Sequence, residues 1–166
     1  MTTDKKYILS KEVVEKKLRR MAYEILENNI DEKVIILAGV RESGGVVAKV
    51  IQQMLSEISS IKTELITVTL DKKEPTEVSL SKSIDFNGKV IILIDDVSNS
   101  GKTLLYALKP FIEFHPKKIQ TLVLVERTHT SFPVRPDYVG LSIATTLQEH
   151  IFVEVKKDEI SGAYLQ

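Results

Sequence analysis

Residues 90–103 of the chain read VIILIDDVSNSGKT, an apolar run followed by two acids and a short polar turn. An uninterrupted apolar run, here residues 90–94, is typical of a strand that is covered on both faces of a parallel sheet. Residues 102–114 then carry apolar side chains at helical spacing, which predicts a helix directly after the turn. Open α/β sheets bind ligands where a strand ends and a helix begins, so this stretch predicts both the fold class and the place of its site.

The segment that precedes this stretch alternates between helical and extended patterns. Ser10 can cap a helix that runs to about Asn29, because apolar residues recur on one face of it. Residues 34–40 (VIILAGV) predict a buried strand, residues 44–58 a helix and residues 64–70 a further strand. This α, β, α, β order favours a parallel sheet with helical crossovers.

The rest of the chain contains one long excursion and several more strands. Residues 71–88 carry few apolar side chains, and a loop of that length inside a compact domain is usually functional. Residues 119–125 predict another buried strand. Residues 138–143 and 151–155 are shorter strand candidates among turn-rich segments, and we assign them to an appended flap.

Length and composition fit one ordinary globular domain. Of the 166 residues, 43% are hydrophobic and 28% are charged, which is normal globular usage and excludes disorder and fibrous repeats. We therefore expect an α/β fold, an open parallel sheet flanked by helices, over residues 1–166 as a single domain. A small C-terminal hood is expected mainly from about residues 127–166.

The charge balance and residue usage narrow the class of protein further. Lys plus Arg and Asp plus Glu number 23 each, so no net field draws the whole chain to polyanions. The sequence has no cysteine, which excludes thiolate chemistry and suits the cytoplasm, where we expect the protein. No apolar run approaches bilayer length, so we expect no membrane partner. His115, His129 and His150 lie too far apart in sequence to predict a zinc site.

Asp95 and Asp96 followed by a glycine-containing turn predict binding of a phosphorylated sugar. Two ionised carboxylates at a strand end need partners, and a sugar diol or a hydrated cation would supply them. Gly101 lets the backbone approach a ligand closely, while the amides that begin the next helix form an anion site. The alternatives are a plain helix cap and turn, or a Walker loop, but residues 98–103 lack the upstream glycine of the latter.

Four segments resemble the type I phosphoribosyltransferase family, and in particular the bacterial pyrimidine-operon attenuation proteins and uracil phosphoribosyltransferases. They read LRRMAYEILENN, LAGVRESGG, IDDVSNSGKT and LVLVERTHTSFPVRPDYVG. The resemblance implies transfer of the ribose 5-phosphate group of 5-phosphoribosyl diphosphate (PRPP) to a nucleobase with release of diphosphate, and it favours uracil as that base. It also implies Mg²⁺ as cofactor and a homodimer or higher oligomer.

The resemblance assigns roles to individual residues. The catalytic set is Asp95, Asp96, Lys72 and Lys73, and the two acids would also hold Mg²⁺ with PRPP. The 5-phosphate set is Ser98, Asn99, Ser100, Gly101, Lys102 and Thr103. The diphosphate turn is Arg41, Glu42, Ser43 and Gly44, often with a non-proline cis peptide bond. The base would lie under a hood that includes Arg127, Tyr138 and Val139.

Two other functions stay open at this point. Purine (hypoxanthine or guanine) phosphoribosyltransferases share the fold, but they usually carry an acid at the position of Asn99 and a lysine at that of Glu126. A nucleotide-sensing regulator with little catalysis would bind RNA through the first helix, where Arg19 and Arg20 are the candidates. The loop TLDKKEPTEVSL departs from the family, because Lys72 and Lys73 replace a larger basic and aromatic cluster there.

Overall fold

The computed structural model describes residues 4–146 and 148–166, which form nine strands and four helices. Residues 1–3 and 147, which fall within the expected domain, lie outside these ranges. The strands are β1 (Lys6–Ser10), β2 (Val34–Val40), β3 (Lys62–Leu70), β4 (Val78–Leu80), β5 (Val90–Ser98), β6 (Lys118–Arg127), β7 (Tyr138–Ile143), β8 (Ile151–Lys156) and β9 (Glu159–Leu165). The helices are α1 (Lys11–Asn28), α2 (Ser43–Ile58), α3 (Lys102–Ala107) and α4 (Lys109–Ile112).

Two sheets make up the fold. The larger is six-stranded, in the order β4-β3-β2-β5-β6-β7, and every pairing in it is parallel except that of β4 with β3. The smaller is antiparallel, in the order β1-β9-β8. The predicted α/β fold with an open parallel sheet and a hood is thus confirmed, and β5 lies in the middle of the large sheet.

The apolar run of β5 is buried because the large sheet is covered on both faces. Ile92 and Ile94 join a core cluster that includes α1, α2 and the inner face of the small sheet. Ile91 and Leu93 join the cluster on the opposite face, with α3 and α4. A strand between two apolar layers has no polar face, which explains why the run shows no alternation.

Helix α1 begins where its sequence predicts. The Ser10 side chain accepts a hydrogen bond of 3.3 Å from the Val13 amide, as an N-cap residue does. Its buried face includes Val14, Leu18 and Ile25. This apolar face packs the helix against α2 and the hood strand β9.

The helix predicted over residues 102–114 is wrong in its extent. It ends at Ala107, and a separate short turn of helix follows from Lys109. Pro110 lies in the first turn of α4, where its missing N–H needs no partner, but inside a continuous helix it would remove a backbone hydrogen bond.

Four further segments differ from expectation. β5 continues through Ser98 instead of ending at Ile94, so both acids belong to the strand. The excursion at residues 71–88 contains β4, which pairs with β3. β7, expected in the flap, is the edge strand of the large sheet. The small sheet instead contains β1 from the N-terminus and β9, neither of which we predicted from the residue pattern.

Candidate active site

The two acids of β5 differ sharply in their exposure. The Asp95 side chain is 1% exposed and that of Asp96 is 15% exposed. One Asp95 oxygen accepts a 2.8 Å hydrogen bond from the Asp96 amide, and an Asp96 oxygen accepts one of 2.8 Å from the Val97 amide. The Lys72 ammonium lies 3.5 Å from Asp95 and 3.9 Å from Asp96, so a residue of the excursion reaches the acid pair.

The surroundings of Asp95 disfavour its ionised form. Burial raises the pKa of the Asp95 carboxyl well above its ordinary value, and the charge of Asp96 raises it further. The Lys72 ammonium acts in the opposite direction and offsets only part of this rise. A ligand that brings hydrogen-bond donors or positive charge to the pair would therefore relieve an unfavourable arrangement.

The turn after β5 requires a glycine, and hydrogen bonds from a neighbouring loop hold it in place. Gly101 has a φ of +87°, and a Cβ atom there would lie 3.2 Å from the carbonyl oxygen of Phe132. The Ser131 and Phe132 amides each donate a 3.0 Å hydrogen bond to the Ser100 carbonyl. Because α3 is short, the anion site here depends on the amides and hydroxyls of the turn more than on a helix dipole.

The turn between β2 and α2 lies against the acid pair. The peptide bond between Arg41 and Glu42 is cis, as the resemblance implies. A Cβ atom on Gly44 would lie 2.7 Å from the Ile94 carbonyl oxygen and 2.9 Å from the Asp95 Cα. A residue without a side chain is thus required for the start of α2 to approach β5 this closely.

A cleft of about 430 Å³ lies between β5 with its turn, the loop that carries Lys72 and the start of α2. It is lined by Ser43, Lys72, Asp96, Val97, Ser98, Asn99, Ser100, Gly101, Lys102, Thr103, Leu104, Ile151, Phe152 and Val153. The structure therefore brings the whole predicted 5-phosphate set together with one acid, one loop lysine and one residue of the diphosphate turn. Ser98 adds a buried hydroxyl oxygen that has no hydrogen-bond partner among the described residues.

Ile151, Phe152 and Val153 form the hood side of the cleft, and sequence reasoning missed them. Phe152 is 43% exposed, which is unusual for a phenylalanine in a strand that also contributes to the core. The residue pattern gave only one usable signal, an aromatic residue between two β-branched ones at the start of a strand candidate. Their position beside the predicted phosphate turn, residues 98–103, depends on the pairing of β8 with β9.

Tyr138 was assigned to the base site, and this assignment is wrong. Its side chain is 1% exposed within the core cluster beneath α1, and its hydroxyl donates a 2.7 Å hydrogen bond to Gln120. Burial raises the pKa of the Tyr138 hydroxyl to about 12. A ring enclosed in this way cannot stack on a ligand, and the strand that carries it belongs to the large sheet and not to the hood.

The other residues assigned to the hood and to RNA make contacts within the chain. The Arg127 guanidinium donates to the Glu149 carbonyl, while its buried Nε has no partner in the described part of the chain. The Val139 carbonyl accepts a 2.9 Å hydrogen bond from Arg20. Arg19 lies 3.4 Å from Glu57 on α2.

Lys73 and Arg41, both predicted to act on the diphosphate, contact neighbouring residues of the chain. The Lys73 amide donates to Asp71, and its carbonyl accepts from the Lys102 ammonium at 3.4 Å. Arg41 is largely exposed and lies 3.9 Å from the Glu42 carboxylate. An exposed ion pair of this length contributes little to stability, so the arginine is free to meet an anion.

Comparison with known proteins identifies the family. Residues 5–159 match the model of the phosphoribosyl transferase domain. The bifunctional protein PyrR of Haemophilus ducreyi is 31% identical over 95% of this chain and 92% of its own length, and that of Streptococcus pneumoniae is 33% identical over 90% of each chain. A hypoxanthine-guanine phosphoribosyltransferase structure from Bacillus anthracis is similar in fold, with a TM-score of 0.74, 21% identity and 95% of each chain covered.

Proposed function

The chain belongs to the phosphoribosyl transferase domain family, and on that premise we propose that it transfers the ribose 5-phosphate group of PRPP to uracil and releases diphosphate. The observation that carries the proposal is the cleft in which Asp96, the neighbour of the buried Asp95 on β5, adjoins the turn of residues 98–103. The relatives that share about a third of its residues are named as bifunctional PyrR proteins, which supports the assignment to pyrimidine metabolism.

The residues of β5 and its turn would bind the sugar phosphate. The ribose hydroxyls donate to the Asp95 and Asp96 carboxylates, whose partners among the described residues are backbone amides and Lys72. The hydroxyls of Ser98, Ser100 and Thr103, together with the amides of the turn, donate to the 5-phosphate. Each group then satisfies a buried or half-buried polar atom of the cleft.

The acid pair also fits a Mg²⁺ ion that arrives with its substrate. Within residues 4–146 and 148–166, no cluster of three or more acidic or histidine side chains could hold a metal by itself. Mg²⁺ is commonly held by one or two carboxylates while substrate phosphates and water complete its shell, and Asp95 and Asp96 supply that number. When bound, the ion would neutralise charge on the diphosphate.

Departure of the diphosphate would be assisted from two sides. The amides and the exposed cation of the Arg41 to Gly44 turn hold the leaving group, and Lys72 and Lys73 of the loop add positive charge. The positive charge that develops on the ribose carbon lies near the Asp95 and Asp96 carboxylates and is stabilised by them. Enclosure by residues 71–77 would keep water from that carbon.

The acceptor base would lie against the hood. Phe152 offers an exposed ring face, and the backbone of Ile151 and Val153 offers hydrogen-bonding groups at the rim of the cleft. Uracil is favoured over a 6-oxopurine for two reasons. Asn99 cannot act as a base toward a purine ring. Glu126, which pairs with Ser98 across the sheet and accepts a hydrogen bond from Ser142, would repel a 6-oxo group.

Diphosphate release tests the proposal. The protein is incubated with PRPP, Mg²⁺ and uracil, hypoxanthine or guanine, and we expect release with uracil alone. Thermal-shift titration with PRPP, UMP, GMP and IMP gives the binding preference independently of turnover, since a ligand that binds only the native state stabilises it by mass action. Release with a purine would contradict the choice of base, and no shift with any of the four ligands would contradict the binding site itself.

A second candidate function is RNA binding by a nucleotide-responsive regulator, because the relatives are named as bifunctional. Arg19 and Lys16 on α1 are the cations for this role, whereas Arg20 already donates to the backbone of β7. A gel-shift titration against the leader of the operon that encodes the protein, at two salt concentrations, tests it. Binding that weakens with salt and with Arg19→Met supports the function, and equal binding to an unrelated RNA contradicts it.

Assembly and location complete the proposal. We expect a single catalytic domain that works as a homodimer or a higher oligomer in the cytoplasm. None of the helices in the described ranges, 4–146 and 148–166, is long and apolar enough to cross a membrane. Sedimentation at two protein concentrations, with and without PRPP, tests the oligomeric state.

A further inference from the structure

Residues 71–77, between β3 and β4, place a lysine on the acid pair. The Lys72 ammonium lies within 4 Å of a carboxylate oxygen of each acid, although its own side chain is 49% exposed. Lysines that are half exposed usually extend into water, where the ammonium is fully hydrated. The burial of Asp95 beside Asp96 explains why the Lys72 ammonium lies inward, since no other cation of the described chain forms an ion pair with either acid.

Two further lysines hold the backbone of this segment over the cleft. The Lys102 ammonium donates to the Lys73 carbonyl at 3.4 Å, and the Lys109 ammonium donates to the Thr76 carbonyl at 3.2 Å. Both donors come from the helical segments that follow the phosphate turn. The segment is therefore attached to the 5-phosphate side of the cleft, with Lys72 directed at the ribose side.

A phosphoribosyl ligand needs the oxygens that Lys72 occupies. Ribose hydroxyls, or a cation that accompanies the ligand, would have to contact the same Asp95 and Asp96 oxygens, and two cations at one carboxylate pair repel each other. PRPP brings a diphosphate that offers the displaced ammonium a new anionic partner. A nucleoside monophosphate brings no anion to that position, so with it Lys72 loses the acids and gains nothing.

We propose that Lys72 is a specificity-determining residue that exchanges the acid pair for the diphosphate, and thereby favours PRPP over the nucleotide product. Lys109 is a positioning residue that keeps Lys72 in place by holding the Thr76 carbonyl. The inference rests on the proposed function, because it requires PRPP and a nucleoside monophosphate to use one cleft. The resulting difference in affinity would favour release of the nucleotide product over release of PRPP.

Calorimetric titration of Lys72→Met with PRPP and with UMP, each with Mg²⁺, tests the exchange. We expect PRPP to bind about tenfold more weakly, the loss of one charge-assisted contact, and UMP to bind about threefold more tightly. Lys82→Met is the matched control, because Lys82 is 54% exposed and pairs with Glu64 at 3.8 Å outside the cleft. The control should leave both affinities unchanged. Equal weakening of both ligands by Lys72→Met, or no change in either, overturns the proposal.

Hydrogen exchange of the amides of residues 71–77 separates this inference from the proposed function. In the free protein, Lys72→Met and Lys109→Met should each speed that exchange several-fold, while Lys82→Met should not. Unchanged exchange in both variants overturns the positioning role, whatever the ligand data show. If exchange responds as expected but wild-type protein binds neither PRPP nor UMP, the proposed function fails, and the exchange of partners at Lys72 fails with it.

Discussion

The phosphate side and the hood side of the cleft are built in opposite ways. On the phosphate side, the acids and the turn come from one continuous stretch, residues 90–103. On the hood side, β1 and β9 come from opposite ends of the chain, and the Tyr7 hydroxyl donates to Glu154 at 3.1 Å across the small sheet. The proposed sugar-phosphate site therefore depends on residues close together in the chain, whereas the proposed cover of the base depends on pairing between distant strands.

The two sides should also differ in how substitutions affect the stability of the fold. The phosphate side buries a carboxylate whose ionised form is disfavoured there, and it requires glycines at two close approaches. The hood side leaves the rings of Phe152 and Tyr7 exposed. Phe152 stacks on Tyr164 at 5.4 Å, and Tyr7 lies 5.6 Å from Tyr164 with its ring tilted. Substitutions on the phosphate side should thus change stability and binding together, and those on the hood side should change binding alone.

Gly44→Val should have the largest effect. Its side chain would meet the Ile94 carbonyl and the Asp95 backbone, neither of which can move without distorting β5. We expect the free energy of unfolding to fall by about 2–3 kcal/mol and PRPP binding to be lost. Urea unfolding and calorimetry measure the two effects. Gly45→Ala is the control, because a Cβ there meets nothing within 4 Å. Near-normal stability and binding in Gly44→Val would contradict the close packing described here.

Asp95→Asn should change stability and binding in opposite directions. We expect PRPP to bind at least about a hundredfold more weakly, while stability at pH 7 rises by about 1–2 kcal/mol, as is common when a functional charge is removed. The pKa of Asp95 is raised by folding, so its contribution to stability is full below the ordinary carboxyl range and is lost as pH rises through the folded value. The substitution removes this dependence of stability on pH, because an amide does not titrate.

Urea unfolding across pH 4 to 8, chosen as roughly the range over which buried carboxyls titrate, checks the prediction for Asp95. Asp85→Asn serves as the control, because Asp85 is exposed and accepts a 3.0 Å hydrogen bond from the Asn87 amide in a surface turn. It should alter neither the PRPP affinity nor the slope of stability against pH. A loss of stability at neutral pH in Asp95→Asn would show that the buried carboxylate stabilises the fold.

Phe152→Ala should affect ligand binding on the hood side with little effect on the fold. Loss of a stacking face usually costs about 1–3 kcal/mol, so we expect UMP to bind roughly tenfold more weakly. Tyr7→Ala is matched to it, because Tyr7 is 54% exposed in the same row of rings but lies outside the residues that line the cleft. Equal losses of UMP affinity in the two variants would indicate a general effect on the hood.

Tyr138→Phe should have the smallest effect. Removal of the hydrogen bond to Gln120 should lower stability by about 1 kcal/mol and leave UMP affinity unchanged. The folded pKa of Tyr138, about 12, lies above the ordinary value of 10.0, so its contribution to stability is full below pH 10 and is lost as pH rises through 12. Unfolding at alkaline pH should show this loss in the wild type and not in the variant. Weaker UMP binding in Tyr138→Phe would return this ring to the site.

Most of the large sheet and of the phosphate side could be predicted from the residue pattern. β2, α2 and β5 begin within one residue of their predicted starts, because buried runs and amphipathic faces are local signals. The division of the helix after Gly101 was missed although Pro110 marks it. The prediction that β7 lies in the flap was wrong, because a short apolar strand has the same residue pattern in a flap and at the edge of a sheet.

The sequence by itself determined the fold class, the family and the contiguous chemistry of residues 90–103, because those depend on side-chain types at short spacing. Only the tertiary structure decided that Asp95 is buried, that Lys72 is its counter-ion and that Phe152, not Tyr138, faces the cleft. These facts depend on contacts between residues far apart in the chain. Such contacts are set by packing and strand pairing, which leave no periodic signal in the residues themselves.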